Sequence, residues 1–262
     1  MQFHFEKYQG TGNDFIIADN RDGRYSALTT EKIALLCHRR FGIGADGLML
    51  LQNKAGMDFE MLYFNADGKP GSMCGNGGRC LVKYASGLLG VHNENYHFEA
   101  SDGPHEAEID LDGIVSLKMK DVTEIKRHHS DYILDTGSPH YIKLVTGIMH
   151  QDVYEKGKEI RYSKEFAEEG INVDFVEQTE DPLSIIVRTY ERGVEDETLS
   201  CGTGVTASAL VCYHNENGFN EVKVKTLGGD LTVEFDRVDD DHYQNVWLCG
   251  PAEKVYEGSI EI

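Results

Sequence analysis

Apolar residues in this chain fall mostly in short runs bounded by Gly, Asn and Asp, the pattern of β-strands separated by turns. Residues 1–20 predict a strand, a turn at Gly10-Thr11-Gly12-Asn13-Asp14, and a second strand through Phe15-Ile16-Ile17. Further strands are predicted at 48–51, 59–64, 96–100, 105–111 and 115–119, then at 141–144, 172–177, 184–189, 221–226, 231–236 and 245–249. The Asp-Gly pairs at 102–103 and 112–113 are hairpin signals, and Gly228-Gly229 reads as a turn. Helical patterns are fewer. Thr29 or Thr30 can cap a helix running to about Arg40, with Ile33, Leu36 and Cys37 inward and Gly42 and Gly44 ending it. A second helix follows Cys74, carries Cys80, Leu81, Tyr84, Ala85 and Leu88 as an apolar stripe, and ends near Gly90. The polar stretch 152–169 predicts a short helix, and a last one, rich in small residues (Ala207, Ser208, Ala209), follows Cys201 and ends near Gly218. Residues 123–130 read as a polar link, with His128 and His129 on the surface.

The order of strands, cysteine, helix and strands occurs twice. Met73-Cys74-Gly75-Asn76-Gly77-Gly78-Arg79-Cys80 and Ser200-Cys201-Gly202-Thr203-Gly204-Val205 both place Gly-x-Gly after a cysteine, about half a chain length apart. A repeat at that spacing predicts a duplicated α/β (α+β) fold, with lobes at 1–120 plus 251–262 and at 121–250. The closing stretch, 251–262, is expected to return as a strand to the first lobe. The two cysteines would then face one another across a cleft.

Composition narrows the function. At 262 residues the chain is long enough for two domains, each with its own core. A formal net charge of −20 argues against nucleic acid and against an anionic membrane surface. An anionic ligand would need positive potential built locally, from an arginine or helix N-termini. The N-terminal residues lack a signal pattern and no apolar run reaches membrane-spanning length, so a cytoplasmic location is expected. There the six cysteines should be mostly reduced. None forms a CxxC pair, so no metal centre is indicated. Cys37, Cys80, Cys212 and Cys249 are read as packing residues.

Cys74 and Cys201 are either two structural cysteines in Gly-rich turns or the residues that carry the chemistry. A cysteine at a helix start feels the positive end of the dipole and unpaired backbone N–H groups, which favour thiolate. The glycines around it let backbone approach a small anion such as a carboxylate, while the Gly-Lys-Ser/Thr of a phosphate loop is missing from both copies. One activated cysteine would suggest a nucleophile. Two in matching contexts suit inversion of a stereocentre, one as thiolate base and the other as thiol acid, with coupled titrations and no pyridoxal cofactor. With reacting atoms about 3–3.5 Å apart on each face of one carbon, their sulfurs should lie roughly 6–7.5 Å apart in a closed, liganded state.

These two stretches, with Gly10-Thr11-Gly12-Asn13-Asp14-Phe15, Gly42-Ile43-Gly44-Ala45-Asp46-Gly47, Phe64-Asn65-Ala66-Asp67-Gly68, Glu191-Arg192-Gly193 and Gly250-Pro251-Ala252-Glu253, resemble diaminopimelate epimerases in order over essentially the whole chain. The resemblance implies epimerisation of LL- to meso-2,6-diaminopimelate, without cofactor or metal, in the synthesis of lysine and peptidoglycan precursors. It implies two similar lobes, each a curved mixed sheet around a central helix, a cleft active site between them, and a homodimer. It makes Cys74 and Cys201 the catalytic pair, with His140 and Glu191 beside them. The backbone of Gly75, Asn76, Gly202 and Thr203 would cradle the reacting carboxylate, and Asn13, Asn65, Asn172 and Arg192 would hold the distal amino-acid end. Ser138 stands where the family often has asparagine, and Gly47 where it often has glutamine. Arg192 suits a carboxylate on its own merits, because a guanidinium binds one bidentately. Two rivals remain: a two-cysteine racemase of proline or hydroxyproline, and a non-catalytic switch in which Cys74 and Cys201 form a disulfide.

Overall fold

The computed structural model describes residues 1–89, 95–212 and 217–262; the helix end expected near Gly90 lies outside them. The chain divides into two compact units, Met1–Leu117 with Gly250–Ile262, and Lys118–Cys249.

The first unit contains β1 (Gln2–Gly10), β2 (Asn13–Asp19), α1 (Thr30–Cys37), β3 (Gly47–Gln52), β4 (Phe59–Asn65), α2 (Gly75–Leu88), β5 (Asn95–Ala100), β6 (Gly103–Ile109) and β7 (Val115–Lys118). The second contains β8 (Lys126–His128), β9 (Asp131–Asp135), β10 (Pro139–Leu144), α3 (Val153–Arg161), β11 (Asn172–Gln178), β12 (Ser184–Glu191), β13 (Asp196–Thr198), α4 (Gly202–Cys212), β14 (Gly218–Thr226), β15 (Gly229–Arg237) and β16 (Tyr243–Gly250). The C-terminal β17 (Glu253–Glu261) pairs antiparallel with β1, so the chain ends in the first unit.

The same order and sense of pairing is built twice. In the first unit β17, β1 and β2 pair antiparallel, β2 and β3 parallel, β3 and β4 antiparallel, β4 and β5 parallel, then β5, β6 and β7 antiparallel. In the second, β8, β9 and β10 pair antiparallel, β10 and β11 parallel, β11 and β12 antiparallel, β12 and β14 parallel, then β14, β15 and β16 antiparallel. Each parallel pair needs a crossover, and α1, α2, α3 and α4 lie on those crossovers. The resulting mixed α+β fold keeps its duplication in topology where the sequence keeps it only around the cysteines.

The central strands are covered on both faces, which is why they read as unbroken apolar runs. In β2 and β3, Ile16, Ala18, Leu48 and Leu50 pack with Ile33, Leu36 and Cys37 of α1. The opposite face turns Phe15 and Met49 towards Gly77 of α2. In the second unit Val173 and Phe175 pack with Val153, beside Tyr141 and Ile148, while Ile142 and Val176 pack with Val205, Ala209 and Leu210 of α4. Helix α4 is buried on all sides, so its apolar residues show no stripe.

Two expectations are corrected, and one strand is added. Helix α1 stops at Cys37 instead of Arg40, because the His38 ring accepts hydrogen bonds from the N–H groups of Arg40 and Phe41 and turns the chain. Freed carbonyls of the helix are then taken up by the loop, Leu36 accepting from Ile43 and Gly44. Residues 123–130 are not a link: β8 pairs with β9, and His128 lies 3.7 Å from Glu165. Strand β13 pairs with the end of β12, an element that a three-residue polar stretch did not signal.

Candidate active site

Cys74 is the N-cap of α2, with extended backbone (φ −118°, ψ 121°) and a carbonyl that accepts from Gly78 N–H at 2.7 Å. Cys201 stands in the same relation to α4, its carbonyl accepting from Val205 N–H at 2.9 Å. Both helix starts therefore present N–H groups of Gly75 and Asn76, or Gly202 and Thr203, in the first turn, where no intrahelical acceptor exists. The glycines also sit in close quarters: a Cβ on Gly77 would fall 2.3 Å from the mobile end of Met49, whereas one on Gly204 would fall 2.2 Å from Asp174 Oδ1, an atom held by hydrogen bonds.

Around Cys74 the neighbours are amides. Asn13 Oδ1 accepts from Cys74 Sγ at 3.5 Å and from Asn76 Nδ2 at 3.4 Å, and Asn13 Nδ2 donates to Asp46 Oδ2 at 2.6 Å. Asp46 is itself fixed by Arg39 and by the Asp14 N–H. The Asp14 carboxyl is pushed up by burial, yet Arg39 and Lys7 outweigh that and hold it far below the usual carboxylate range. Asn76 is turned inward, its Oδ1 accepting from Arg79 Nη2 at 3.0 Å and from the Thr11 hydroxyl at 3.5 Å. Thr11 (φ 48°) and Gly12 (φ 83°) form the left-handed pair of a two-residue hairpin, which sets Asn13 at the start of β2. Asn65 ends β4 and is exposed, its backbone N–H bonded to the Lys69 carbonyl.

Around Cys201 the neighbours are ionisable. His140, fully buried on β10, directs Nδ1 to Asp174 Oδ2 at 2.6 Å and Nε2 to Thr203 Oγ1 at 2.9 Å. The Thr203 hydroxyl lies 3.4 Å from Cys201 Sγ. Asp174, also fully buried, accepts from the Thr189 hydroxyl at 2.6 Å. Burial first, then the carboxylates of Glu191 and Asp174, push the Cys201 thiol well up, against lowering by its contact with the Thr203 hydroxyl and by the Gly204 N–H. The helix start alone predicts a thiolate here; the surroundings reverse it and Cys201 rests as a thiol.

Asn172, Ser138 and Arg192 form one cluster in this unit. Asn172 Nδ2 donates to Ser138 Oγ at 2.9 Å and to the Pro139 carbonyl at 3.0 Å, while Asn172 Oδ1 accepts from Arg192 N–H at 2.9 Å. Arg192 Nη2 reaches Ser138 Oγ at 3.2 Å and Nη1 the Glu169 carbonyl at 3.1 Å. The serine thus bridges amide and guanidinium directly. Glu191 closes β12, one residue before Arg192. The sequence-predicted residues fall into two groups: Cys74, Gly75, Asn76, Asn13 and Asn65 in the first unit, and Cys201, Gly202, Thr203, His140, Ser138, Asn172, Glu191 and Arg192 in the second.

Sequence reasoning missed Asp174, Arg79 and Thr11. Asp174 had a signal, a single carboxylate inside the apolar run 171–176, where burial demands a partner. Arg79, 0% exposed, stood inside the quoted motif; it supports Asn76 and reaches the Gly75 carbonyl at 3.4 Å. Among the described residues no cluster of three or more His, Cys, Asp or Glu is arranged to hold a metal ion, and no helix is long and apolar enough to cross a membrane.

Known proteins supply the last observations. Among solved structures, a phenazine biosynthesis protein of the PhzF family from Bacillus anthracis superposes with a TM-score of 0.77 at 16% identity, covering 100% of both chains. A probable proline racemase from Agrobacterium radiobacter does so with a TM-score of 0.68 at 13% identity, over 99% of this chain and 93% of that one. At such identities the likeness is one of fold. Sequence relatives are more informative. Diaminopimelate epimerase of Flavobacterium psychrophilum is 47% identical over 97% of this chain and 98% of its own length, and that of Chlorobaculum tepidum is 43% identical over 97% and 99%. With the diaminopimelate epimerase family model matching residues 5–124 and 132–255, both cysteine caps included, this chain belongs to the diaminopimelate epimerase family.

Proposed function

We propose that the chain interconverts LL- and meso-2,6-diaminopimelate, with Cys74 and Cys201 as paired acid and base. Membership of an isomerase family supports the reaction. The observation that carries the residue assignment is the identical placement of the two cysteines, each offering its carbonyl to the first turn of a buried helix and its side chain to the end where N–H groups are free of helical partners. In this reading the thiolate takes the α-proton from one face of the carbon and the thiol delivers its own to the other. Carbanion charge spreads into the α-carboxylate, which the N–H groups of Gly75, Asn76, Gly202 and Thr203 stabilise. Asn13, Asn65, Asn172, Ser138 and Arg192 hold the distal end, with His140 and Glu191 beside the thiols. The chain acts in this reading as a cytoplasmic homodimer, and light scattering on the purified protein tests the dimer.

The experiment is ¹H NMR in D₂O with reduced enzyme, comparing LL-diaminopimelate, proline and trans-4-hydroxyproline, with Cys74→Ala and Cys201→Ala. The expected outcome is α-proton exchange on diaminopimelate alone and loss of epimerisation in either variant. Exchange only with a proline-type substrate overturns the substrate assignment. Epimerisation that survives either substitution overturns the two-thiol mechanism, as does a closed, liganded crystal structure with one cysteine turned into the core.

A further inference from the structure

Resting on that reading, we propose that Asp174, His140 and Thr203 form a proton relay that serves Cys201, with Asp174 as its positioning residue. The four groups make one unbroken chain: Asp174 Oδ2 to His140 Nδ1 at 2.6 Å, His140 Nε2 to Thr203 Oγ1 at 2.9 Å, and Thr203 Oγ1 to Cys201 Sγ at 3.4 Å. The directions of the hydrogen bonds follow from what each group can do. A carboxylate only accepts, so His140 carries its proton on Nδ1 and presents the Nε2 lone pair. The Thr203 hydroxyl donates its hydrogen to that lone pair and turns its oxygen towards the Cys201 S–H. Thr189, donating to the other Asp174 oxygen at 2.6 Å, locks the carboxylate in place. His140 and Asp174 are fully buried, Cys201 is buried and Thr203 is half-buried, so the acid and the imidazole are held away from solvent.

The relay supplies one half of the reset that the two-base scheme needs. After each turnover the two thiols have exchanged protonation states, and Cys201, which rests as a thiol, must give up its proton to act again as base, while Cys74 regains its own from solvent. In the relay step the Cys201 S–H bond breaks and leaves its electron pair on sulfur. The proton goes to Thr203 Oγ1 as the original Thr203 proton goes to His140 Nε2. The products are a thiolate and an imidazolium; threonine is a neutral hydroxyl throughout and Asp174 is a carboxylate throughout, now paired with the imidazolium. The reverse step restores the thiol. Asp174 favours the step by stabilising the imidazolium at hydrogen-bond distance.

Asp174 also acts on Cys201 through space, and there its charge has the opposite effect, opposing thiolate as Glu191 does. The two roles therefore predict opposite signs. The test measures iodoacetamide alkylation of Cys201 at fixed pH, read by mass spectrometry of its peptide, with kcat, KM and thermal stability, for the wild type, Asp174→Asn, Thr203→Val and Thr203→Ser. An amide at 174 offers its N–H₂ to Nδ1 and shifts the imidazole hydrogen to Nε2, which then no longer accepts. Valine keeps the shape of threonine without its oxygen, and serine restores the oxygen. The expected result is a fall of about tenfold or more in both Cys201 alkylation and kcat for Asp174→Asn and Thr203→Val, with Thr203→Ser within about threefold of wild type. Faster alkylation of Asp174→Asn would reduce Asp174 to a repelling charge, and wild-type alkylation of Thr203→Val would remove the relay. If Asp174→Asn does not fold, the threonine pair decides alone. Alkylation needs no substrate, so the expected order in an enzyme that fails to turn over diaminopimelate would refute the proposed function while supporting the relay.

Discussion

Gly204→Ala tests how closely the second helix start is built around the buried acid. The new methyl carbon would lie 2.2 Å from Asp174 Oδ1, 3.0 Å from its Cγ and 3.2 Å from His140 Cε1. Asp174 has nowhere to retreat without giving up Thr189 and His140, each at 2.6 Å. Alanine gains at most about 1 kcal/mol of helix propensity over glycine. Breaking up a buried, paired carboxylate costs about 3–5 kcal/mol. The net expectation is a loss of about 2–4 kcal/mol, or a fall in Tm of roughly 5–15 °C for a chain of this size. Two controls use the other central helix. A Cβ on Gly77 meets the end of the flexible Met49 side chain at 2.3 Å and Phe15 Cζ at an ordinary 3.4 Å, so Gly77→Ala should stay within about 1 kcal/mol of wild type. A Cβ on Gly87 meets nothing within 4 Å, so Gly87→Ala should be neutral or stabilising by up to about 1 kcal/mol. Thermal unfolding followed by far-UV circular dichroism gives the order. Adding Asp174→Ala to Gly204→Ala removes the collision, so the double variant should lose less than the sum of the two single losses by about 1 kcal/mol or more. Additive losses, or a Gly204→Ala protein as stable as wild type, would refute the idea that the glycine is there to admit Asp174.

Ser138→Ala leaves Asn172 Nδ2 and Arg192 Nη2 without their shared acceptor, and is expected to raise KM for diaminopimelate about fivefold or more with a smaller change in kcat; steady-state kinetics check this, and an unchanged KM would detach the serine from substrate binding. The Asp14 carboxyl titrates lower in the folded state than in the unfolded one, so its contribution to stability is complete above the unfolded value near about 4 and fades as the pH falls below that. Asp14→Asn should accordingly lower Tm at neutral pH and flatten its acid dependence, as read from melts across an acid series. Burial pushes the thiols of Cys37, Cys80 and Cys212 up to about 12. Stability tied to those thiols is complete below the unfolded thiol value of about 8.5 and is lost as the pH rises towards the folded one, and iodoacetamide should spare all three in the native protein while labelling them in urea.

What the sequence disclosed and what it concealed divide along a physical line. Turns, caps and strand faces are local: Asp102-Gly103 and Asp112-Gly113 make their hairpins, Thr29 caps α1, and both Cys-Gly-x-Gly stretches start helices. The common topology of the two units could be inferred from that repeated order because each element is short and sharply bounded. Features set by where a side chain turns or which strand lies alongside were not legible. The His38 ring turns back on the N–H groups just after it and stops α1, and the short β13 is defined by its pairing with β12. The protonation of Cys201 belongs to the same class. Its helix start argues for thiolate, yet the outcome is decided by burial and by carboxylates on β11 and β12.

That last reversal bears on why duplication alone does not make an epimerase of the proposed kind. Two identical coupled thiols can share one proton between them, but nothing in identical surroundings would decide which of the two holds it. The two units repeat the backbone around their cysteines and differ in what the strands supply. At the start of β2, Asn13 offers Cys74 an amide oxygen, a group that cannot take up a proton near neutral pH. At the start of β10, His140 stands behind Thr203 and Cys201, held by an acid on the neighbouring strand. His140 can store a proton for Cys201 and return it. If the relay exists, converting the second side towards the first, as Asp174→Asn begins to do, should slow whichever half-reaction uses Cys201 as base more than the other. Measuring kcat for α-deuterium incorporation at saturating substrate in both reaction directions would show that asymmetry, since the equilibrium constant fixes only the ratio of the two kcat/KM values, and equal slowing of kcat in the two directions would contradict it.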